Sequence, residues 1–289
     1  MRYSINKLMK AWDADHMSLI CEFLDVAARH SAKLALITER SQLTYAALTD
    51  LVATLDLALS RNGVQHGQTV ALASKRAEFV IAMPLLASLR SLNVIFANDQ
   101  TVTASGVQID HYIADNLSDL MPDRQQITIN AEWFTSMVDG TSLKAISNDG
   151  GGSLTFSSSG STGRPKLIRC SLASWRSSLA ARTKRTDIPF GLHRVMSVVG
   201  ATARWAMDTH FSALLEGGAV VALTTEKSAM PDYVDMYRIS FLSLTPELMR
   251  QITAYENSKQ LLSSVQCVEF GGAAISTSLL QSFGRVCDA

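Results

Sequence analysis

The sequence predicts an α/β fold in which helices cover layered, largely parallel β-sheets, an αβαβα type of arrangement. Three observations support this class. Short apolar runs of strand length alternate with longer segments of helical periodicity. This alternation occurs once on each side of a polar segment at residues 186–193. The composition, 47% hydrophobic in 289 residues, supplies a large core. We therefore expect two α/β lobes, residues 1–190 and 191–289.

The elements of the first lobe follow from helix caps and from the length of each apolar run. Thr44 can cap a helix that Asn62-Gly63 would end, because asparagine and glycine accept the left-handed backbone of a helix C-terminus. Pro84 falls inside a helical segment, so we expect it in the first turns or at a kink. In chain order the predicted elements are the helix after Thr44, strand 68–74, helix 77–92, strand 93–98, strand 127–129, strand 153–157 and helix 171–185.

The second lobe repeats the alternation with clearer boundaries. Gly217-Gly218 would end one helix, and Thr245 followed by Pro246 has the pattern of a helix start. The predicted elements are, in order, strand 194–200, helix 203–218, strand 219–223, a short helix at 232–237, strand 241–244, the helix after Thr245, strand 265–270 and a helix beginning near Ser276.

Charge, hydropathy and cysteine spacing disfavour several classes of protein. Twenty-six basic and twenty-six acidic side chains give a formal charge of zero, so we expect no nucleic-acid partner. No apolar run approaches the roughly 18 residues of a membrane-spanning helix, so we expect no membrane span. The cysteines form no CxxC pair and have no histidine at metal-ligand spacing, which disfavours disulfides and a metal site and favours a cytoplasmic protein. They are Cys21, Cys170, Cys267 and Cys287.

A stretch rich in serine and glycine, SSSGSTGRPK at residues 157–166, follows a predicted strand and has two interpretations. Gly160 and Gly163 permit backbone conformations in which successive N–H groups converge on an anion. Lys166 adds a mobile positive charge. The hydroxyl donors between them are Ser158, Ser159, Ser161 and Thr162. These residues suit a cradle for phosphates, whereas the same composition is also typical of a flexible linker.

The P-loop pattern GxxxxGK[ST] does not fit this stretch, because Pro165 precedes Lys166 and Leu167 follows it. Residues 158–166 resemble instead the phosphate-binding loop of the adenylate-forming enzymes, which include acyl-CoA and aryl-CoA synthetases, peptide-synthetase adenylation domains and luciferases. Ser158 replaces the usual threonine of that loop, and Leu167 replaces its final glycine. Five further segments resemble the family in the same order: 43–74, 86–98, 194–223, 241–252 and 268–276.

The resemblance implies a site for ATP and a carboxylic acid. Lys166 would be the catalytic residue, and the loop residues that would bind ATP with it are Ser158, Ser159, Gly160, Ser161, Thr162 and Gly163. The turn Gly271, Gly272 and Ala273 would flank the adenine, and Ala203, Trp205 and Met207 would line the acid pocket. Judged by residue type alone, a Gly-Gly pair is often only a tight turn, and Trp205 and Met207 are equally expected in a core.

The implied activity is attack of a carboxylate on the α-phosphate of ATP, which releases pyrophosphate and leaves an acyl-adenylate. The acyl group would then pass to a thiol, either of CoA or of a carrier protein. The implied cofactors are ATP and Mg²⁺, with the Mg²⁺ ligands expected beyond residue 289, where family members carry a Tyr-Gly-x-Thr-Glu segment and a C-terminal lid. We therefore expect an incomplete N-terminal domain that lacks the lid and is inactive alone. The alternatives are a non-catalytic nucleotide- or acyl-binding module of the same fold, and a structural protein in which the stretch is only a loop.

Overall fold

The computed structural model describes residues 17–141, 143, 151–158, 166–223 and 230–289. Its helices are α1 (Leu19–Arg29), α2 (Tyr45–Arg61), α3 (Ala77–Arg90), α4 (Asp99–Ser105), α5 (Leu172–Thr186), α6 (Arg204–Leu214), α7 (Met230–Met236), α8 (Pro246–Thr253), α9 (Ser258–Leu261) and α10 (Thr277–Phe283). Its strands are β1 (Leu34–Ile37), β2 (Gln42–Thr44), β3 (Thr69–Ala73), β4 (Asn93–Phe96), β5 (His111–Ala114), β6 (Gln125–Thr128), β7 (Ser153–Ser158), β8 (Lys166–Ser171), β9 (Arg194–Ser197), β10 (Ala219–Val221), β11 (Phe241–Leu244) and β12 (Cys267–Phe270). Short 3₁₀ turns lie at Ala131–Phe134 and Phe190–Leu192.

The strands form two six-stranded sheets. The first sheet has the order β6-β5-β3-β4-β7-β8, and the second has the order β12-β11-β9-β10-β1-β2. In each sheet one edge strand is antiparallel to its neighbour, β8 in the first sheet and β2 in the second, and the other pairs are parallel. Parallel sheets are covered on both faces, which explains why their strands are continuous apolar runs in the sequence. The predicted α/β class with layered parallel sheets is confirmed.

Residues near the start of the chain complete the second sheet. Strand β1 lies parallel to β10, with Leu36 opposite Val220. At the start of α2, the buried Tyr45 hydroxyl donates to the carbonyl oxygen of Gly218 at 2.7 Å. Burial raises the pKa of Tyr45 well above its usual value, so the phenol stays neutral. The division of the chain at residue 190 into two domains stays a prediction, but the two sheets do not follow it.

Helix starts agree with the sequence where a capping side chain is present. The Thr44 hydroxyl accepts the backbone N–H of Ala47 at 3.1 Å and begins α2. The Thr245 hydroxyl accepts the N–H of Leu248 at 3.4 Å, and Pro246 is the first residue of α8. These caps satisfy N–H groups that have no partner inside the helix, so the local sequence is sufficient to predict them.

Two local features go beyond the sequence patterns. Pro84 lies in the middle of α3, so the first turns are excluded and the kink stays a prediction. Every residue of α3 is buried, and this burial offsets the roughly 3 kcal/mol that an interior proline costs a helix. Residues 166–171 form strand β8, which pairs with β7 at the edge of the first sheet. No strand is predicted there because an exposed edge strand has no apolar face to signal it.

The structure also contains elements for which the sequence patterns predict nothing: α1, β1, β2, α4, β5 and α9. Among the described helices, none combines the length and the hydropathy needed to cross a bilayer.

Candidate functional site

The sequence-predicted site residues lie at the carboxyl ends of strands in both sheets. The candidate phosphate loop follows β7, helix α6 follows β9, and the Gly-Gly turn follows β12. Ligands of open α/β sheets bind outside the carboxyl ends of the strands, because helix N-termini and loops converge there. The topology therefore brings the three predicted segments to one side of the sheets.

The two ends of the candidate phosphate loop are paired with each other. Ser158 ends β7 and lies opposite Lys166, which begins the antiparallel strand β8. The Ser158 hydroxyl donates to the carbonyl oxygen of Lys166 at 3.4 Å. Lys166 is exposed and makes no ion pair with any described residue, so its ammonium is available to a ligand. The predicted loop residues Ser159, Gly160, Ser161, Thr162 and Gly163 lie outside the described residues, as do Arg164 and Pro165.

Helix α6 carries the residues predicted for the acid pocket. Ala203 is the residue that precedes the first turn, and its side chain makes no capping hydrogen bond. Trp205 is half-buried, whereas Met207 is fully buried in the main hydrophobic core. Met207 therefore packs in the hydrophobic core, which is the place expected from its residue type alone. A role for Ala203, Trp205 or Met207 in binding an acid stays a prediction.

The indole of Trp205 links the predicted acid pocket to the predicted adenine turn. A Cβ atom added to Gly271 would lie 3.5 Å from Cζ2 of the indole, so the indole lies next to the turn. Gly272 has a φ of 85°, which favours glycine, and it is exposed together with Ala273. The structure thus brings Trp205 and Gly271 together although 66 positions separate them (271 − 205).

Glu269, two residues before this turn, is a functional candidate that sequence reasoning missed. Its Oε2 atom accepts the indole N–H of Trp205 at 2.9 Å and the Nη2 of Arg182 at 2.6 Å. The Ser243 hydroxyl lies 3.2 Å from the same oxygen, and the Thr209 hydroxyl lies 3.4 Å from it. The one signal in the sequence is a single charged residue within the apolar run at 265–270. Charged residues are almost never placed in such runs without a partner.

A second ion pair lies within α6, and its arginine contacts the strand of the candidate phosphate loop. Arg204 donates to the Asp208 carboxylate at 2.7 Å, and the same oxygen accepts the indole N–H of Trp175 at 2.5 Å. The Arg204 guanidinium also lies over the ring of Phe156 in β7, 5.7 Å from its centre. Burial lowers the pKa of Arg204 and the Asp208 carboxylate raises it, with a net upward direction, so Arg204 is a permanent cation at the start of α6.

His210 in α6 is unsuited to proton transfer. Its side chain is fully buried, and neither ring nitrogen has a hydrogen-bond partner among the described residues. Burial, with a smaller effect from the Arg182 charge, lowers the pKa of His210 to about 3. The imidazole is therefore neutral at physiological pH.

The described residues contain no group of three or more His, Cys, Asp or Glu side chains that could hold a metal ion. The four cysteines are all free thiols. Within the described ranges, the chemistry available at this site is therefore phosphate and carboxylate binding by one free lysine, hydroxyl groups and the polar cluster around Glu269.

Comparison with known proteins agrees with this geometry. Residues 153–289 match the family model of AMP-binding enzymes. The chain is 24% identical over 274 residues to the polyketide synthase-nonribosomal peptide synthetase phmA of Phaeosphaeria nodorum, covering 90% of this chain and 7% of the relative. It is 22% identical over 285 residues to nonribosomal peptide synthetase 1 of Ajellomyces capsulatus, covering 91% of this chain and 15% of the relative. The chain thus spans a small part of the length of these curated relatives.

Solved structures share the fold. The complex of VinN with L-aspartate has a TM-score of 0.76 at 13% identity, over 95% of this chain and 75% of VinN. The luciferase-like enzyme of the mealworm Zophobas morio has a TM-score of 0.74 at 17% identity, over 94% and 70% of the two chains. O-succinylbenzoate CoA synthetase of Bacillus subtilis in complex with AMP has a TM-score of 0.74 at 14% identity, over 92% and 56%. The matched family model and the shared fold confirm the resemblance found in the sequence: residues 153–289 match the AMP-binding enzymes, and the chain has the fold of the N-terminal domains of adenylate-forming enzymes.

Proposed function

We propose that this chain binds ATP and takes part in the activation of a carboxylic acid to an acyl-adenylate, with release of pyrophosphate and transfer of the acyl group to a thiol. The proposal rests on the position of the hairpin end at which Ser158 pairs with Lys166. This hairpin end and the Gly271-Gly272 turn both follow the carboxyl ends of strands. An AMP-binding family model over residues 153–289 and an adenylate-forming fold support it.

The residues have separate parts in this proposal. The Lys166 ammonium and the Ser158 hydroxyl would bind phosphate oxygens and offset the charge that passes to the leaving pyrophosphate. Gly271 and Gly272 have no side chains, so their turn would offer the adenine a flat surface. The protein would act by positioning, because the substrate carboxylate itself is the nucleophile.

The ligands of the solved neighbours support a class of acid and a class of thiol acceptor. Solved structures of the same fold contain L-aspartate in VinN, and AMP or a CoA product analogue in O-succinylbenzoate CoA synthetase. These ligands support a small carboxylic acid as substrate and CoA as one possible acceptor. The relatives named as peptide synthetases favour a carrier protein as the other.

The test is titration of the chain with ATP by calorimetry, with Lys166→Ala as the variant. Loss of the ammonium should weaken ATP binding by about 1.5–3 kcal/mol, the usual value of a charged hydrogen bond. Lys184→Ala is the matched control, because Lys184 is exposed in the last turn of α5 and should leave binding unchanged. Equal affinity of the Lys166→Ala variant and the wild type would remove Lys166 from the site.

The second candidate is a non-catalytic nucleotide- or acyl-binding module of the same fold. Exchange of labelled pyrophosphate into ATP separates the two candidates. Exchange that depends on an added carboxylic acid supports the ligase, whereas ATP binding without exchange supports the module.

A further inference from the structure

We propose that the amino end of the second sheet holds a binding site for a phosphorylated small molecule, with Lys33, Arg194 and Arg238 as its cations. This pocket lies where β11, β9, β10 and β1 begin, and these four strands are neighbours in the sheet. The candidate site described above lies at the opposite, carboxyl ends of the strands. The pocket is therefore a second site, and the inference does not depend on the proposed function.

The first support is the size and composition of the pocket. Its volume is about 460 Å³, which is within the usual range of small-molecule sites. Three of its eight lining residues are basic and none is acidic, although the formal charge of the whole chain is zero. His193 and Ser240 add polar side chains, and leucine and alanine complete the wall. Such a lining creates a positive potential that favours an anion.

The second support is that two of the cations are held in place but not neutralised. Lys33 donates from Nζ to the carbonyl oxygen of Gly191 at 2.8 Å, and Arg194 donates from Nη1 to the carbonyl oxygen of Tyr237. Neither side chain makes an ion pair with a described residue. A bond to a neutral carbonyl orients a cation and leaves its charge for a ligand, as do the N–H groups that stay unused.

The third cation, Arg238, lies at a backbone position that would suit glycine better. Its φ of 51° is left-handed, and residues other than glycine in this conformation are concentrated at functional sites. Two carboxylates are near the pocket. Asp235 lies 3.8 Å from Arg238, with 66% of the arginine side chain exposed, so their pairing is weak. Glu216 accepts the backbone N–H of Gly191 at 3.3 Å. Neither carboxylate lines the cavity.

His193 adds a neutral donor to the same pocket. The Ser240 oxygen accepts the backbone N–H of Arg194 at 3.0 Å, which leaves its hydroxyl hydrogen for Nδ1 of His193 at 3.1 Å. The ring hydrogen of the neutral imidazole then lies on Nε2. Burial lowers the pKa of His193, so the neutral form is the one present at physiological pH. Nε2 has no partner among the described residues and is not an enclosed atom.

The number of donors favours phosphate over a carboxylate. A carboxylate has one negative charge and two oxygens, whereas a phosphate monoester has nearly two charges and three terminal oxygens at pH 7. Each guanidinium can also bond two phosphate oxygens at once. Two guanidinium groups, one ammonium and one imidazole N–H around a single cavity thus match the acceptors of a phosphorylated ligand.

The experiment is calorimetric titration of the 289-residue chain with inorganic pyrophosphate. Every protein carries Lys166→Ala, so the ammonium at the other end of the strands is absent. Lys33→Gln and Arg238→Asn each remove one cation of the pocket, and asparagine accepts the left-handed backbone of position 238. Each should weaken binding about 10-fold or more, the usual effect of one charged hydrogen bond. Arg61→Gln is the matched control, because Arg61 is exposed at the end of α2 and its loss changes the net charge equally.

A second titration replaces pyrophosphate by succinate, which also carries two or more negative charges but has fewer acceptor oxygens. We expect succinate to bind about 10-fold or more weakly, since fewer charged hydrogen bonds can form. Unfolding midpoints of the four proteins are measured in parallel. Equal midpoints show that a loss of affinity arises at the pocket and not from a loss of fold.

The outcomes separate the parts of the proposal. Binding of one pyrophosphate per chain that is weakened by both pocket variants and not by Arg61→Gln supports the site. The site is overturned if millimolar pyrophosphate does not bind, if the pocket variants bind it as tightly as their Lys166→Ala parent, or if the control weakens binding equally. Equal affinity for succinate overturns the assignment to phosphate. None of these results bears on Lys166, because all the proteins lack its ammonium.

Discussion

The buried pair Arg182–Glu269 makes an asymmetric prediction about stability. The Arg182 side chain is 9% exposed, whereas that of Glu269 is 31% exposed. Removing the carboxylate by Glu269→Leu leaves a guanidinium that water hardly reaches. Removing the guanidinium by Arg182→Met leaves a carboxylate that water can reach and that still accepts from Trp205. The first variant should therefore be the less stable one.

The magnitudes follow from the cost of breaking a buried pair, which is about 3–5 kcal/mol when one charge is left without compensation. We take the lower end for Glu269→Leu, about 3 kcal/mol, because Arg182 keeps its bond to Thr209 and its contact with Phe190. For Arg182→Met we expect about 1.5 kcal/mol, because methionine keeps most of the packing and the carboxylate is partly hydrated. The double variant leaves no isolated charge and should cost about 1.5 kcal/mol, which gives a coupling of about 3 kcal/mol.

The assay is urea unfolding of the four proteins, followed by tryptophan fluorescence and fitted for the free energy of unfolding and its denaturant slope. Equal slopes would show that all four unfold from comparably compact states. The reasoning is refuted if Arg182→Met destabilises the chain more than Glu269→Leu does, or if the double variant costs the sum of the two single variants.

Two further predictions concern the glycine turn and the buried histidine. Gly272→Ala should cost about 1–2 kcal/mol of stability, because its φ of 85° is strained for alanine. A steric clash does not contribute, since the atom nearest to a new Cβ is 3.9 Å away. Gly271→Ala should leave the free energy of unfolding nearly unchanged and weaken binding of AMP, and similar unfolding midpoints for the two variants would contradict this. The pKa of His210 is about 3 in the folded chain against about 6.5 in the unfolded chain, so protons bind the unfolded chain first as the pH falls. This contribution to stability is complete above about pH 6.5 and is lost towards pH 3, and it should amount to about 2 kcal/mol between pH 7 and pH 5. His210→Leu should remove that part of the pH dependence, and parallel stability curves for the variant and the wild type would show that His210 does not titrate in this way.

Local sequence signals account for the helix starts and for most of the central strands. Thr44 and Thr245 are effective predictors because a hydroxyl before a helix bonds an N–H only three residues away. The strands of the two sheets are apolar runs because both faces of a parallel sheet are buried. Strand β8 has no such signal, since it is an exposed edge strand beside the candidate loop.

The residues of the candidate site also form two groups, those that local motifs predict and those that only long-range contacts identify. The serine-glycine stretch, Lys166 and the Gly271-Gly272 turn are contiguous motifs, so the sequence alone supports a nucleotide-binding prediction at these positions. Glu269 has no motif, because its partner Arg182 is 87 residues away and its other partners lie on α6 and β11. Similarly, Met207 and Trp205 are two residues apart, and only packing determines that one is in the core and the other beside the turn.

The α/β class, the family resemblance and the candidate phosphate loop can be predicted from the amino-acid sequence, because each depends on residues close together along the chain. Three features need the folded structure: β1 and β2 complete the second sheet, Trp205 lies next to the Gly271 turn, and one oxygen of Glu269 is anchored while the other receives no hydrogen bond from a described residue. These features depend on contacts between residues distant in sequence. Such contacts form only when burial of the apolar strands and helices brings the segments together.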